Sequence, residues 1–263
     1  MKTVVISGAS SGIGRALAQV FSANGYKVYN LSRRAADIDG VISITTDVTD
    51  EASVISAFDK ISGEVESIDI VVANAGFGIS GAVEFTDTAE AKRQFDVNFF
   101  GVLNVAKAAM PHLRKSRGRI VSTSSVAAIF SIPFQSFYSA SKASVSMLMS
   151  ALSNEARMFG VSACSVMLGD TKTGFTAARD KSYDGDDIYG GAIARSVAVM
   201  EHDEQNGASP DKVAKKIFAV ATKRRVKDKY VIGFSYKCLA LLQKLLPAGL
   251  VNRLIGLIYI PKK

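Results

Sequence analysis

The sequence predicts an α/β fold in which a doubly wound parallel sheet is covered by helices on both faces. Two observations carry this reading. Six short apolar runs alternate with amphipathic helical patterns, and the first run turns through a glycine-rich loop into a helix. A third sets the scale: 263 residues with 48% apolar content supply one substantial core, and no linker-like stretch divides them. One domain spanning residues 1–263 is the expectation.

Residues 3–7 read as the first strand, ending at Gly8, and residues 13–23 as a helix with Leu17, Val20 and Phe21 at helical spacing. Further strands are expected at 26–31, 41–45, 68–73, 119–123 and 162–168, with helices at 51–61, 89–115, 137–159 and 210–222. Only residues 35–40 connect the second and third strands, so any helix there is rudimentary. Residues 171–209 resist assignment. A connection of that length, with Gly174, Gly185, Gly190 and Gly191, is expected to act as a substrate lid.

Composition narrows the function. Cys164 and Cys238 form no C-x-x-C pattern, and His112 and His202 are the only histidines, so a disulfide scaffold, a structural zinc site or a catalytic metal is not expected. The N-terminus has no visible export signal, and a reducing, cytoplasmic setting fits. The net charge of +8 is unevenly placed. Residues 211–263 hold 13 Lys or Arg against Asp211 and Asp228, a net of +11, leaving −3 for residues 1–210.

The last stretch, 234–263, combines Lys237, Lys244, Arg253, Lys262 and Lys263 with two apolar helical patterns broken near Pro247 and Gly249. The charges interrupt it too often for the ~20 apolar residues that span a bilayer. Such an extension needs a second apolar surface. A subunit interface in a homo-oligomer, a lid over the pocket and peripheral contact with an anionic membrane are the alternatives. Nucleic acid is not an expected partner, because the basic residues lack interleaved aromatics and any reader motif.

The loop Ser7-Gly8-Ala9-Ser10-Ser11-Gly12-Ile13-Gly14 lies where strand becomes helix. Glycines there permit positive φ and close approach of backbone to phosphate, and the helix N-terminus attracts a pyrophosphate. A Rossmann-type dinucleotide site is the implication. The same residues spell G-x-S-x-G with Ser10 as a hydrolase nucleophile, but a hydrolase needs an acid and a histidine on later loops. At the end of the second strand, Ser32 stands where an NAD enzyme would carry a carboxylate, with Arg33 and Arg34 beside it. NADP(H) is therefore the expected cofactor. Asp47 and Val48, past the third strand, either cap an adenine pocket or make a turn.

Tyr138 and Lys142 stand at i and i+4, on one helical face. The spacing predicts a phenol drawn toward phenolate by the ammonium, with Lys142 also free to bind a ribose. Ser125, ending the fifth strand, is suited to bind a carbonyl oxygen beside the phenol. Asn74-Ala75-Gly76 follows the fourth strand. Asn98, inside a predicted helix, either organises a water relay to Lys142 or satisfies a backbone carbonyl.

With these motifs in this order and at these intervals, the chain resembles the short-chain dehydrogenase/reductase family over residues 3–175, extending to about 232. The resemblance implies Asn98, Ser125, Tyr138 and Lys142 as a catalytic tetrad. It implies cofactor contacts from Gly8, Ser10, Ile13, Asp47, Val48, Asn74, Gly76, Tyr138, Lys142 and Thr173, beside Gly12, Gly14, Arg33 and Arg34 from the loop and strand chemistry. Leu168-Gly169 stands where the family commonly has Pro-Gly, and Ala73 where it often has a further Asn. These departures bear on loop geometry rather than chemistry.

The expected reaction is hydride transfer between nicotinamide and a ketone or secondary alcohol, with Tyr138 exchanging the proton, Ser125 polarising the oxygen, Lys142 tuning Tyr138 and Asn98 relaying protons. The family resemblance places the loops carrying Phe77, Ile79, Phe130, Ile132, Phe134 and Phe137 around the substrate, which implies an apolar small-molecule carbonyl substrate, such as a steroid, acyl chain or retinoid; the alternative is that several of them are ordinary core. The competing class is an NADP(H)-binding regulatory protein without turnover, against which intact Ser125, Tyr138 and Lys142 argue.

Overall fold

Seven parallel strands, one more than the sequence pattern suggests, form the central sheet. The structure is a computed structural model and describes residues 1–260. In chain order the first half comprises β1 (Thr3–Ser7), α1 (Gly12–Ala23), β2 (Lys27–Ser32), β3 (Val41–Thr45), α2 (Glu51–Glu64), β4 (Ile70–Ala73) and the short β5 (Ile79–Ser80). Then come α3 (Thr88–Phe95), α4 (Gly101–Ser116), β6 (Arg119–Ser125), α5 (Ser136–Arg157) and β7 (Ser162–Leu168). The remainder is α6 (Phe175–Ala178), β8 (Asp180–Lys181), α7 (Ala192–Gln205), α8 (Pro210–Ala221), β9 (Lys229–Val231), α9 (Phe234–Leu245) and α10 (Ala248–Tyr259).

The large sheet has the order β3-β2-β1-β4-β6-β7-β9, and β5 and β8 pair separately. Chain order reverses between β1 and β4, so the crevice outside the carboxyl ends of those strands is where a doubly wound sheet binds ligands. Each face has its own core. Phe58, Ile61, Leu113, Val145 and Met149 pack α2, α4 and α5 on one side. On the other, Leu17 and Phe21 of α1 meet Ile217 and Val220 of α8. Phe21 stands edge-on to Tyr26 and Phe218, with ring centroids at 5.0 and 4.9 Å.

Three departures from the sequence reading matter for the site. The seventh strand, β9, is only Lys-Tyr-Val and follows a run of charged residues, so it offers no apolar run to recognise. The helix expected over 89–115 is broken by a π-helical turn at Asp96–Phe100, and its extra residue falls around Asn98. The unassigned segment 171–209 is substantially ordered: Ile193, Val197 and Met200 bury one face of α7, and Asp186 Oδ1 accepts the Ile193 N–H at 2.8 Å. The short connection between β2 and β3, expected to hold at most a rudimentary helix, carries none.

The C-terminal extension forms α9 and α10, of which only Ala240 is buried. Among the described residues no helix is long and apolar enough to cross a membrane. Lys262 and Lys263, counted in the basic extension, lie outside the described residues.

Candidate active site

The glycine loop is built around contacts that exclude side chains. A Cβ on Gly14 would fall 2.2 Å from the Gly8 carbonyl oxygen, and one on Gly8 would fall 2.9 Å from Ala75 Cα. Gly8 and Gly12 take φ of 74° and 53°, in the left-handed region. Polar side chains brace the loop from below. Asn30 Oδ1 accepts the Ala9 N–H at 3.0 Å, and Ser7 Oγ accepts the backbone N–H groups of Asn74 and Ala75 at 2.9 and 3.1 Å. Asn74 Nδ2 donates to the Ser7 carbonyl at 3.1 Å, tying β1 to β4 at the switch point. Ser11, which precedes α1, makes no capping hydrogen bond with its side chain, and the first turn of α1 has no acidic residue. The helix N-terminus is thus open to an anion.

At the rim, Ser32 is buried and donates to Asn30 Oδ1, whereas Arg33 and Arg34 are exposed and line the cleft. Asp47 Oδ1 accepts both the N–H and the hydroxyl of Thr49, at 2.9 and 2.8 Å, which is the turn geometry weighed from the sequence. Those bonds, led by the backbone one, hold its carboxyl below the usual range, and Arg33 adds to the effect. Asn104 Nδ2 donates to the Val48 carbonyl at 2.9 Å, and a Cβ on Gly101 would reach 2.8 Å from Val48. Thr173 stands over Gly12, 3.6 Å from where its Cβ would be.

Ser125, Tyr138 and Lys142 converge on the same cleft. Ser125 ends β6, its hydroxyl accepting the Ala127 N–H at 3.1 Å. Lys142 is 6% exposed, donates to the Thr123 carbonyl at 3.2 Å and holds its Nζ 5.7 Å from the Tyr138 ring centroid. The expected drift of Tyr138 toward phenolate is not found. Burial pushes the phenol up to about 12, opposed by hydrogen bonding from Ser125, and burial pushes Lys142 down to about 8. Desolvation outweighs any attraction between the two, so the phenol keeps its proton.

Asn98 is fully buried and fully used. Its Oδ1 accepts the Phe77 N–H at 3.0 Å, and its Nδ2 donates to the Phe77 carbonyl at 3.0 Å and to Ser141 Oγ at 3.1 Å. The backbone-satisfying alternative is therefore present. A Cβ on Gly76 would lie 3.0 Å from Asn98 Oδ1 and 3.4 Å from Lys142 Nζ, which leaves glycine as the residue that lets those groups share one corner.

The cleft has a volume of about 1280 Å³ and runs from the glycine loop past Tyr138 to the C-terminal helices. Phe77, Phe130 and Ile132 line it, as the sequence suggests, but Ile79 and Phe134 are core residues and Phe137 does not line it. Phe175 from the 171–209 segment packs at 5.7 Å from Tyr138, centroid to centroid. Behind it the buried Arg179 pairs with Glu204, which also accepts from Thr176 Oγ1 at 2.6 Å. Ser10 lines the cleft but neither histidine does; His112 stacks on Phe58 instead, at 5.9 Å.

Several of these residues went unrecognised in the sequence. Asn30 was detectable in principle, as a polar residue inside an apolar strand that must find partners. Tyr236, Leu239, Ile255, Ile258 and Tyr259, which bring α9 and α10 to the cleft, belong to no motif.

The family described as short chain dehydrogenase matches residues 2–184. The chain belongs to the short-chain dehydrogenase/reductase family. Its members are oxidoreductases acting between alcohols and carbonyls with a nicotinamide cofactor. A 3-ketodihydrosphingosine reductase of Bacteroides thetaiotaomicron is 37% identical over 234 residues, which cover 88% of this chain and 87% of that protein. A short-chain dehydrogenase from Streptomyces avermitilis superposes with a TM-score of 0.81 at 27% identity, covering 93% of both chains. Solved neighbours of this short-chain dehydrogenase/reductase include ElxO with NADP bound, at 25% identity, TM-score 0.74, and coverage of 90% of this chain and 99% of that one. They also include a Burkholderia phymatum protein in complex with NAD, at 23% identity, TM-score 0.78, and coverage of 93% and 92%.

Proposed function

We propose that this short-chain dehydrogenase/reductase reduces an apolar ketone with NADP(H). The observation that carries the reading is a single cleft holding the Gly8/Gly12/Gly14 cradle at one end and Ser125, Tyr138 and Lys142 beside an apolar chamber at the other. The residues fit the dinucleotide. Gly8 and Gly14 have no room for a side chain and Gly12 takes a left-handed φ, the N-terminus of α1 is uncapped, and Arg33 and Arg34 offer charge where a 2′-phosphate would need it. Ser10, Gly12, Ile13, Asp47, Val48, Asn74, Gly76 and Thr173 would complete the hold. When bound, the nicotinamide supplies the hydride.

The chain's own groups then have separate tasks. Ser125 donates a hydrogen bond to the substrate oxygen and fixes its position. Tyr138, protonated through the neutral range, delivers its phenolic proton to that oxygen as it gains negative charge. Lys142, held by the Thr123 carbonyl, binds the ribose and stabilises the phenolate left behind. Asn98 braces the Phe77 loop and Ser141, and a replacement proton would reach Lys142 through water positioned by that brace rather than through the amide itself. The arm leading into α7 carries Phe175 against Tyr138 and would close over bound substrate, with α7 as its anchor.

A ketone on a long apolar chain suits the chamber, and the ketosphingoid reductase named among the relatives supports that class. The test is oxidation of NADPH, and separately NADH, with long-chain α-amino-β-hydroxy ketones, steroids and small carbonyls. Turnover of the long-chain ketones with NADPH is the expected result; turnover confined to small hydrophilic carbonyls would overturn the substrate class.

A further inference from the structure

We infer that α9 and α10 form a docking surface for an anionic lipid bilayer and open the active-site cleft toward it. Three observations converge.

The first is an apolar surface that the rest of the described chain leaves uncovered. Apart from Ala240, the pair leaves its residues at least partly open to solvent: Phe234 is 84% exposed, Leu245 72%, Leu241 61% and Leu257 55%, with Leu242, Leu250 and Leu254 also exposed. Scattered exposed leucines are ordinary, but this many on two consecutive helices form a patch that a soluble surface rarely carries.

The second is charge of one sign. Lys237, Lys244 and Arg253 are exposed on the same two helices, no Asp or Glu occurs from residue 229 to 260, and none of the three basic residues joins an ion pair among the described residues. This also decides between occupants. A second copy packed face to face would bring two sets of unpaired cations together, since a twofold interface presents the same patch on both sides. An anionic bilayer offers acyl chains to the leucines and negative headgroups to the cations.

The third is continuity with the site. Leu239 and Ile258, 47% and 54% exposed, line the cleft together with Tyr236, Ile255 and Tyr259. The surface that would rest on lipid is therefore also the mouth of the chamber, and an apolar ketone passes between them without crossing water. This last step rests on the apolar-ketone reading above, whereas the docking does not.

Co-sedimentation of the full chain with vesicles of phosphatidylcholine, alone or with phosphatidylglycerol, tests the docking. The chain is expected to pellet with the anionic vesicles at low salt and to be released as salt rises. Changing Lys237, Lys244 and Arg253 to Gln should weaken that binding roughly fivefold per residue, on the order of 100-fold together. Leu241→Ser with Leu245→Ser should weaken it at every salt concentration. Normal NADPH oxidation with a water-soluble ketone establishes that each variant is folded. No pelleting with anionic vesicles at low salt overturns the proposal, and if the leucine variant instead loses self-association, the face is a subunit interface. Slower reduction of a vesicle-embedded ketone by the Gln variant, with unchanged reduction of a soluble one, supports delivery. A chain that pellets but reduces no apolar ketone fails the substrate reading and leaves the docking intact.

Discussion

The Tyr236 hydroxyl donates to Asp170 Oδ2 at 2.5 Å and accepts the Asp170 backbone N–H at 3.1 Å. The ring lies against Gly169, where a Cβ would fall 2.0 Å from it. Thus the first turn of α9 is fastened to the carboxyl end of β7, and Gly169, which Leu168-Gly169 keeps in common with the family's Pro-Gly, is the residue that seats the tyrosine. Burial first, and the bond to Asp170 second, push the Tyr236 phenol up to about 12, so the bond is retained through the neutral range.

Tyr236→Phe should therefore loosen the cleft mouth without disturbing the sheet. The ring still packs, but the Asp170 N–H and carboxylate lose a partner, a cost of about 1–2 kcal/mol for a half-buried bond to a charged group. Hydrogen exchange should rise in α9 and α10 while β1, β4 and β6 keep their protection. Unchanged exchange in α9 would mean that the apolar contacts alone hold the extension.

Tyr138→Phe should abolish turnover and leave NADPH affinity close to wild type, because it removes the proposed proton donor and keeps the ring that packs on Phe175. Single-turnover kinetics and a binding titration separate the two quantities. Activity near wild type would sink the assignment of Tyr138 as the acid.

Replacing Arg33 and Arg34 by Ala should weaken NADPH binding far more than NADH binding. Both guanidinium groups are exposed, so the effect belongs to the lower part of the roughly 10- to 150-fold range for a charge-assisted hydrogen bond. Their removal should also relax Asp47, whose carboxyl Arg33 helps to hold down. Equal losses for the two cofactors would leave cofactor choice with some other residue.

Much of this arrangement could be read from the chain because the informative residues are local. A glycine loop between strand and helix, or Tyr138 and Lys142 one helical turn apart, depends on spacing alone. What escaped depends on residues distant in sequence. Asn30 supports the loop from the neighbouring strand 21 residues away, Asn104 reaches 56 residues back to Val48, and Tyr236 reaches 66 residues back to Asp170. The direction of the Tyr138 shift escaped for a related reason. The i, i+4 spacing revealed the cation, but the desolvation that outweighs it is set by the surrounding protein, not by the helix.

That shift fixes the expected pH dependence. With Tyr138 near 12, the phenol remains protonated well beyond neutrality, so it does not set the alkaline limit of ketone reduction; Lys142, near 8, loses its charge first. As pH rises through about 8 the ammonium proposed to stabilise the phenolate disappears, and kcat/KM for reduction should fall along a limb of slope one. Unfolding does not mimic this. Between the folded value near 8 and the ordinary 10.5, the unfolded chain binds the Lys142 proton and the folded chain does not, so this residue's contribution to stability increases with pH across that window. The limb should therefore appear while thermal stability is maintained or improved. Lys142→Arg, whose guanidinium stays charged, should lose the limb if it retains any turnover. A wild-type profile that stays flat from about pH 7 to about pH 9.5 would show that Lys142 keeps its proton in the working enzyme and that the alkaline limit lies elsewhere.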